Sequence, residues 1–269
     1  MVFVALLGVI LSSCLTPAQV GAWGWRIPFL IGCLIIPFIF TIRKSLQETE
    51  VFLARKERPT TAQVWHSLVR NWRLIIVGAL TVTMSTVSFY FITAYTPTFG
   101  REVLKLPGSA NLVVTLCVGL SNLLWIPLMG SLSDRYGRRP MLIGFALLTL
   151  LTAYPALAWL AIKPSFTRLL LVELWLSFLY GSYNGAMIVH LTELMPPAVR
   201  TAGFSLAYSL ATALFGGLTP LISTWLISET HDKAAPGYWL TIAAICGLGA
   251  TLNLFHRASV ERRAASMAH

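Results

Sequence analysis

The sequence predicts an all-α transmembrane protein of about eight spans, on three observations. Hydrophobic residues make up 56% of the 269 positions and charged residues 11%, against roughly 45–50% and 25% in soluble globular domains. A chain so composed has too little polar surface to cover itself in water. The apolar residues are gathered into long runs, most of them reaching the roughly 18–20 residues that cross a bilayer as a helix. The Lys and Arg residues fall between those runs rather than in one patch, so the net charge of +10 reads as topology, and nucleic acid is not an expected partner. Cys14, Cys33, Cys117 and Cys246 all lie in apolar segments without a CxxC pair, which fits small core residues rather than disulfides or metal ligands.

Taken in order, residues 2–15 are apolar but short for a span. No Lys or Arg precedes Arg26, so the charged start of a signal peptide is missing; the run is expected to be the remainder of a helix whose beginning is absent. A turn over 17–24 leads into a second span at 25–42, with Trp23 and Trp25 suited to the headgroup belt. Residues 43–73 are the one sizeable hydrophilic stretch. Ser45 with Glu48 and Thr60 with Gln63 have capping-box spacing, which predicts two short helices. In the second, Trp65, Leu68, Val69 and Trp72 share a face that would lie on a membrane surface.

Six further spans are expected near 74–99, 111–132, 140–162, 168–192, 201–228 and 238–256. Pro97 and the cluster Gly216-Gly217-Leu218-Thr219-Pro220 are expected break points. If 43–73 is cytoplasmic, fourteen of the twenty basic residues fall on the inner side. The bias puts the 133–139 loop and the C-terminus in the cytoplasm. The expected organisation is a two-helix N-terminal remnant over 1–42, a central loop over 43–73, a six-helix bundle over 74–257 and a tail over 258–269.

Polar side chains inside spans mark pathways or interhelical packing. Glu173, Ser177, Tyr180 and Asn184 fall on one stripe of the span 168–192. Thr115 and Asn122 share a face with Gly119, and Ser205, Ser209 and Thr212 share one with Gly216. On 74–99 one stripe holds Thr81, Ser85, Ser88 and Tyr95, and the opposite one Thr86, Tyr90 and Thr93. Candidate cavity residues are therefore Tyr90, Tyr95, Asn122, Tyr180, Asn184, Ser209 and Thr212. Glu173 is the one acid placed inside a span, and a buried carboxyl that is paired with no cation is a candidate proton carrier. His190 fits an interfacial donor. Between residues 74 and 256 every Lys and Arg falls in an expected loop, so this part of the chain offers hydroxyls, amides and phenols rather than cations.

The segment Gly130-Ser131-Leu132-Ser133-Asp134-Arg135-Tyr136-Gly137-Arg138-Arg139-Pro140 resembles the GxLxDRxGRRP loop of the major facilitator superfamily. Glu193-Leu194-Met195-Pro196-Pro197-Ala198-Val199-Arg200 resembles that family's later PxxxR loop. Gly24-Trp25-Arg26-Ile27-Pro28-Phe29 and Ser45-Leu46-Gln47-Glu48-Thr49-Glu50 are similar to its metabolite–proton symporter branch. Phe89 to Pro97, Tyr183-Asn184-Gly185-Ala186 and Phe215 to Pro220 extend the similarity to citrate–proton symporters, including tricarballylate carriers.

The resemblance implies a twelve-helix fold of two six-helix halves, of which this chain would hold the complete C-terminal half and about two helices of the other. It implies proton-coupled symport of an organic anion, citrate or tricarballylate, across the inner membrane by alternating access, with the missing half needed for transport. A symporter for a dicarboxylate or osmolyte, and a non-transporting membrane remnant, are the alternatives. It further implies a gating loop of Gly130, Asp134, Arg135, Gly137, Arg138, Arg139 and Arg200. In that loop Gly130 would allow close helix approach, and Asp134 would engage a helix N-terminus or Arg138 and Arg139. No cofactor, metal or enzymatic activity is expected: no nucleophile–base pair, metal cluster or phosphate-binding loop is present in the sequence.

Overall fold

The computed structural model describes residues 2–45, 61–196 and 200–267, and all regular structure among them is helical. In chain order the main helices are α1 (Val2–Cys14), α2 (Gly24–Ile42), α3 (Thr61–Arg70), α4 (Trp72–Val103), α5 (Gly108–Tyr136), α6 (Arg138–Ile162), α7 (Phe166–Leu194), α8 (Arg200–Thr230) and α9 (Pro236–Met267). Among the described residues six segments are long and apolar enough to cross a membrane: α2, α4, α5, α6, α8 and the Pro236–Phe255 part of α9.

Helix α7 is as long as α5 at 29 residues yet is not among those six. Its buried residues run from Leu169 to Leu191 and include Glu173, Ser177, Ser182, Asn184 and His190. Neighbouring helices cover most of it, leaving Leu171, Trp175 and Ile188 exposed, and the covered side tolerates a polar stripe that a lipid-facing one would not. Helix α4 is its counterpart, with 72% of its most apolar window buried. Helices α5 and α6 pack on α7, α8 packs on α4, α9 packs on both α6 and α4, and α1 lies against α5. One core gathers Phe91, Tyr95, Phe99, Leu157, Leu169 and Leu176. The other gathers Val82, Met84, Leu142, Tyr183, Met187 and Leu191.

Both expected break points are real, and each takes the form of a π-helical turn. Helix α4 widens at Phe91–Tyr95 and at Phe99–Val103, on either side of Pro97. A proline lacks the N–H of the ladder and crowds the preceding turn, and a wider turn relieves the clash. The Thr96 hydroxyl oxygen lies 3.1 Å from the carbonyl of Phe91 at the edge of this break. Helix α8 widens at Thr212–Gly216. There a Cβ on Gly216 would lie 2.9 Å from the Tyr90 ring, so the glycine lets α8 close onto α4.

Other expectations shift in detail. The turn over 17–24 contains the short helix Pro17–Ala22, started by a capping box between Thr16 and Gln19. The Ser45–Glu48 cap falls outside the described residues, whereas the helix expected after Thr60 is present as α3. Its apolar face divides: Leu68 packs into the second core, while Trp65, Val69 and Trp72 are exposed. The last helix continues past 256 to Met267. The close helix approach expected of Gly130 is real but rests on its partner. A Cβ on Gly185 would lie 2.7 Å from the Ile126 carbonyl and 2.9 Å from the Gly130 nitrogen, whereas one on Gly130 would meet only the Gly185 carbonyl, at 3.8 Å.

Candidate functional site

The stripe on α7 is what ties the centre together, because its members bond to two different helices. The Glu173 carboxyl is fully buried and accepts from the Thr96 hydroxyl of α4 at 2.9 Å through Oε1. Its Oε2 has no partner. Among the described residues no ion pair reaches it. One turn on, the Ser177 hydroxyl sits 2.9 Å from both Asn122 Oδ1 and Ser121 Oγ of α5. Two turns beyond Ser177, Asn184 Oδ1 accepts from Ser85 of α4 at 2.6 Å.

Tyr180 lies between these bonds and lines a groove of about 350 Å³ with Asn122, Phe89, Gly119, Ile126 and Pro127, closed on one side by Val2 of α1. Tyr90 packs its ring against Gly216 and makes an edge contact with Phe89, which also leans on Tyr180. Four of the seven candidate cavity residues, Tyr90, Asn122, Tyr180 and Asn184, are thus set along the α4–α5–α7 seam. The other three are elsewhere. Tyr95 is 2% exposed among Phe91 and Phe99, its hydroxyl 3.2 Å from Thr224 of α8. Ser209 is exposed, and Thr212 is half-buried with its hydroxyl unpartnered.

At one end of the bundle the charged loop forms a compact cluster. Gly137 joins α5 to α6 at φ +88°, a backbone region that favours glycine. Arg138, at the start of α6, donates to Asp134 at 2.6 Å and clamps Glu193 of α7 through Nε at 3.0 Å and Nη2 at 2.8 Å. It also reaches Ser133 Oγ, which itself donates to the Gly130 carbonyl at 2.7 Å. Of the two arginines named as partners for Asp134, the structure selects Arg138. Arg139 instead lies over the Phe255 ring, and Arg200 donates to the Met195 carbonyl. Arg135 is exposed. His190, expected at an interface, is buried and stacks on the same Phe255 with Nε2 unpartnered.

Three participants escaped the sequence reading as site residues. Glu193 was visible only inside a resembling motif, with nothing to mark it as the arginine's second partner. Thr96 was hidden beside Pro97, where a widened turn makes facing unpredictable from a 3.6-residue period. Tyr208 of α8, which lies within electrostatic reach of both Tyr90 and Tyr180, did carry a signal: it stands at i+3 from Ser205 on the α8 polar face.

Residues 107–268 match the family model described as Major Facilitator Superfamily. The citrate–proton symporter of Salmonella typhi is 56% identical over 258 residues, covering 96% of this chain and 59% of the relative. That of Klebsiella pneumoniae is also 56% identical, covering 97% and 59%. The chain therefore spans less than two thirds of the length of these curated relatives. Among solved structures, a bacterial homolog of the human lysosomal transporter Spinster, inward-facing and unoccupied, aligns with a TM-score of 0.61 at 17% identity over 93% of this chain and 67% of that one. That similarity speaks to the fold alone.

Proposed function

The chain belongs to the Major Facilitator Superfamily, and from that premise we propose that it supplies one half of a proton-coupled symport pathway for an organic anion, with citrate the leading substrate and tricarballylate next. The observation that carries the reading is the α7 stripe, which puts a buried, cation-free carboxyl and a row of hydroxyl, phenol and amide groups on one helix facing two others. The two citrate–proton symporters at 56% identity support it.

In this reading Asn122, Tyr180, Tyr90 and Asn184 contact the substrate, and Glu173 carries the coupling proton. A carboxyl buried without a cation is far more stable neutral than charged, so Glu173 releases its proton only when the bundle rearranges to admit water or a cation. The Asp134–Arg138–Glu193 cluster ties α5, α6 and α7 together at the cytoplasmic end and holds that end in one packed state. Burying a tricarboxylate requires dense partners, and the cationic ones come from a second six-helix half, which transport needs. The protein works as a multi-pass protein of the bacterial inner membrane with its C-terminus in the cytoplasm, embedded in lipid and taking only a proton and a small anion as partners.

The test is a chimera in which this chain replaces the matching 258 residues of the Salmonella typhi relative. Vesicles carrying it are expected to accumulate radiolabelled citrate when the outside is made acid, and to stop when a protonophore collapses the gradient. A folded, membrane-inserted chimera that takes up neither citrate nor tricarballylate contradicts the proposal.

A further inference from the structure

Two serines fix the direction in which the buried amides point. Ser177 Oγ lies 2.9 Å from both Asn122 Oδ1 and Ser121 Oγ, and the Ser121 hydroxyl can donate to it in turn, leaving the Ser177 proton for the amide oxygen; Ser85 donates to Asn184 Oδ1 at 2.6 Å. Each amide oxygen thus accepts from a serine on an adjacent helix, and each amide is left with an Nδ2 that bonds to nothing among the described residues. Neither nitrogen is among the sealed, unpartnered atoms, so both remain accessible. Asn122 opens onto the 350 Å³ groove, and Asn184 lies one turn along α7 from Tyr180, which lines it.

The phenols there follow the same rule. Three other tyrosine hydroxyls of the bundle are satisfied: Tyr183 donates to the Thr81 carbonyl at 2.9 Å, Tyr154 lies 3.1 Å from Asp232 and Tyr95 lies 3.2 Å from Thr224. Those of Tyr90, Tyr180 and Tyr208 have no hydrogen-bond partner among the described residues, although Tyr180 is only 6% exposed and Tyr208 lies within electrostatic reach of the other two. Buried or half-buried phenols normally find a partner. Three left open on α4, α7 and α8, with two amides turned nitrogen-outward on α5 and α7, make a region rich in spare donors in which each amide oxygen already accepts from a serine. A carboxylate, which only accepts and offers about four lone-pair sites, is the chemical complement of such a surface.

We infer that Ser85 and Ser177 are positioning residues that turn Asn184 and Asn122 into N–H donors, and that with the phenols of Tyr90, Tyr180 and Tyr208 these amides bind carboxylate groups without a cation. This rests on the organic-anion reading of the site but not on citrate in particular. Without its serine an amide is free to rotate and present oxygen, which repels a carboxylate. Ser85 and Ser177 therefore contribute to ligand selection as well as to the ties between α7 and its neighbours.

The test uses the full chain in lipid nanodiscs and equilibrium binding of citrate, tricarballylate, succinate and the neutral triamide of tricarballylic acid. Wild-type chain is expected to bind at least one carboxylate and to disfavour the triamide. A neutral donor lost to a charged acceptor weakens binding by about tenfold or more. Ser177→Ala, Ser85→Ala and Tyr208→Phe should each show that loss for the carboxylate while leaving triamide binding within about threefold. Ser177→Thr, which keeps the hydroxyl, should restore it. Binding of another carboxylate with citrate rejected would sustain the donor site and remove citrate from the functional reading. If no carboxylate binds, or if the carboxylate-to-triamide preference is the same in wild type and all three variants, the donor site is wrong whether or not the chimera transports.

Discussion

Arg138 grips Glu193 with two parallel hydrogen bonds, 3.0 Å from Nε and 2.8 Å from Nη2, across 55 residues of sequence. The same guanidinium holds Asp134 at 2.6 Å, one helical turn before it. A single side chain therefore joins the end of α5, the start of α6 and the end of α7. Asp134 and Glu193 are both more than half exposed, so the static contribution of each pair is modest, about 1 kcal/mol or less. In the proposed gating role its consequence lies in which end of the bundle stays closed.

Asp134→Asn and Glu193→Gln are expected to lower citrate uptake by the chimera by about tenfold or more, while thermal unfolding in detergent shifts by only a few degrees. Arg138→Lys should behave like a loss, because an ammonium cannot reproduce the two-pronged clamp. Normal uptake by Asp134→Asn would remove the gating role.

Gly185→Ala should destabilise the α5–α7 crossing by about 1–3 kcal/mol, since its methyl would press on the Ile126 carbonyl and the Gly130 nitrogen. Gly130→Ala should cost clearly less, its nearest new contact being an ordinary 3.8 Å. Thermal unfolding of the two variants side by side measures the difference. Equal shifts, or the reverse order, would contradict the packing described.

Glu173→Gln keeps the shape of the carboxyl and an oxygen for the Thr96 hydroxyl, but cannot carry a proton. The expected result is exchange of labelled for unlabelled citrate at near-normal rate, with accumulation driven by a pH gradient abolished. Thr96→Val, which removes the single hydrogen bond to Glu173, should alter the pH dependence of uptake without abolishing it. Unchanged gradient-driven accumulation in Glu173→Gln would reassign the proton to another residue.

Much of this architecture was legible because a bilayer imposes its length on the chain: the apolar runs gave α4 to α9 with ends mostly within two to four residues of their observed places. The breaks were legible because Pro97 and Gly216 act locally. What the sequence could not convey was partner choice. The α7 periodicity put Glu173, Ser177, Tyr180 and Asn184 on one face, yet not that Ser177 meets Asn122 on α5 while Asn184 meets Ser85 on α4. Those pairings depend on helix rotation, which side-chain packing sets across segments far apart in sequence. Tyr95 shows the converse error of periodicity: its place on a polar stripe pointed to a cavity, but the widened turn at Phe91–Tyr95 puts it in an aromatic core.

The central claim is that an organic anion and a proton move together through a pathway to which this chain contributes. The direct measurement is of the proton itself: adding citrate, without any imposed gradient, to weakly buffered vesicles that carry the chimera while the external pH is recorded. Alkalinisation on citrate addition is expected, beyond that from equal buffer capacity in chimera-free vesicles, and it should be lost in Glu173→Gln. Citrate entering at the same rate with no accompanying proton uptake would contradict the claim.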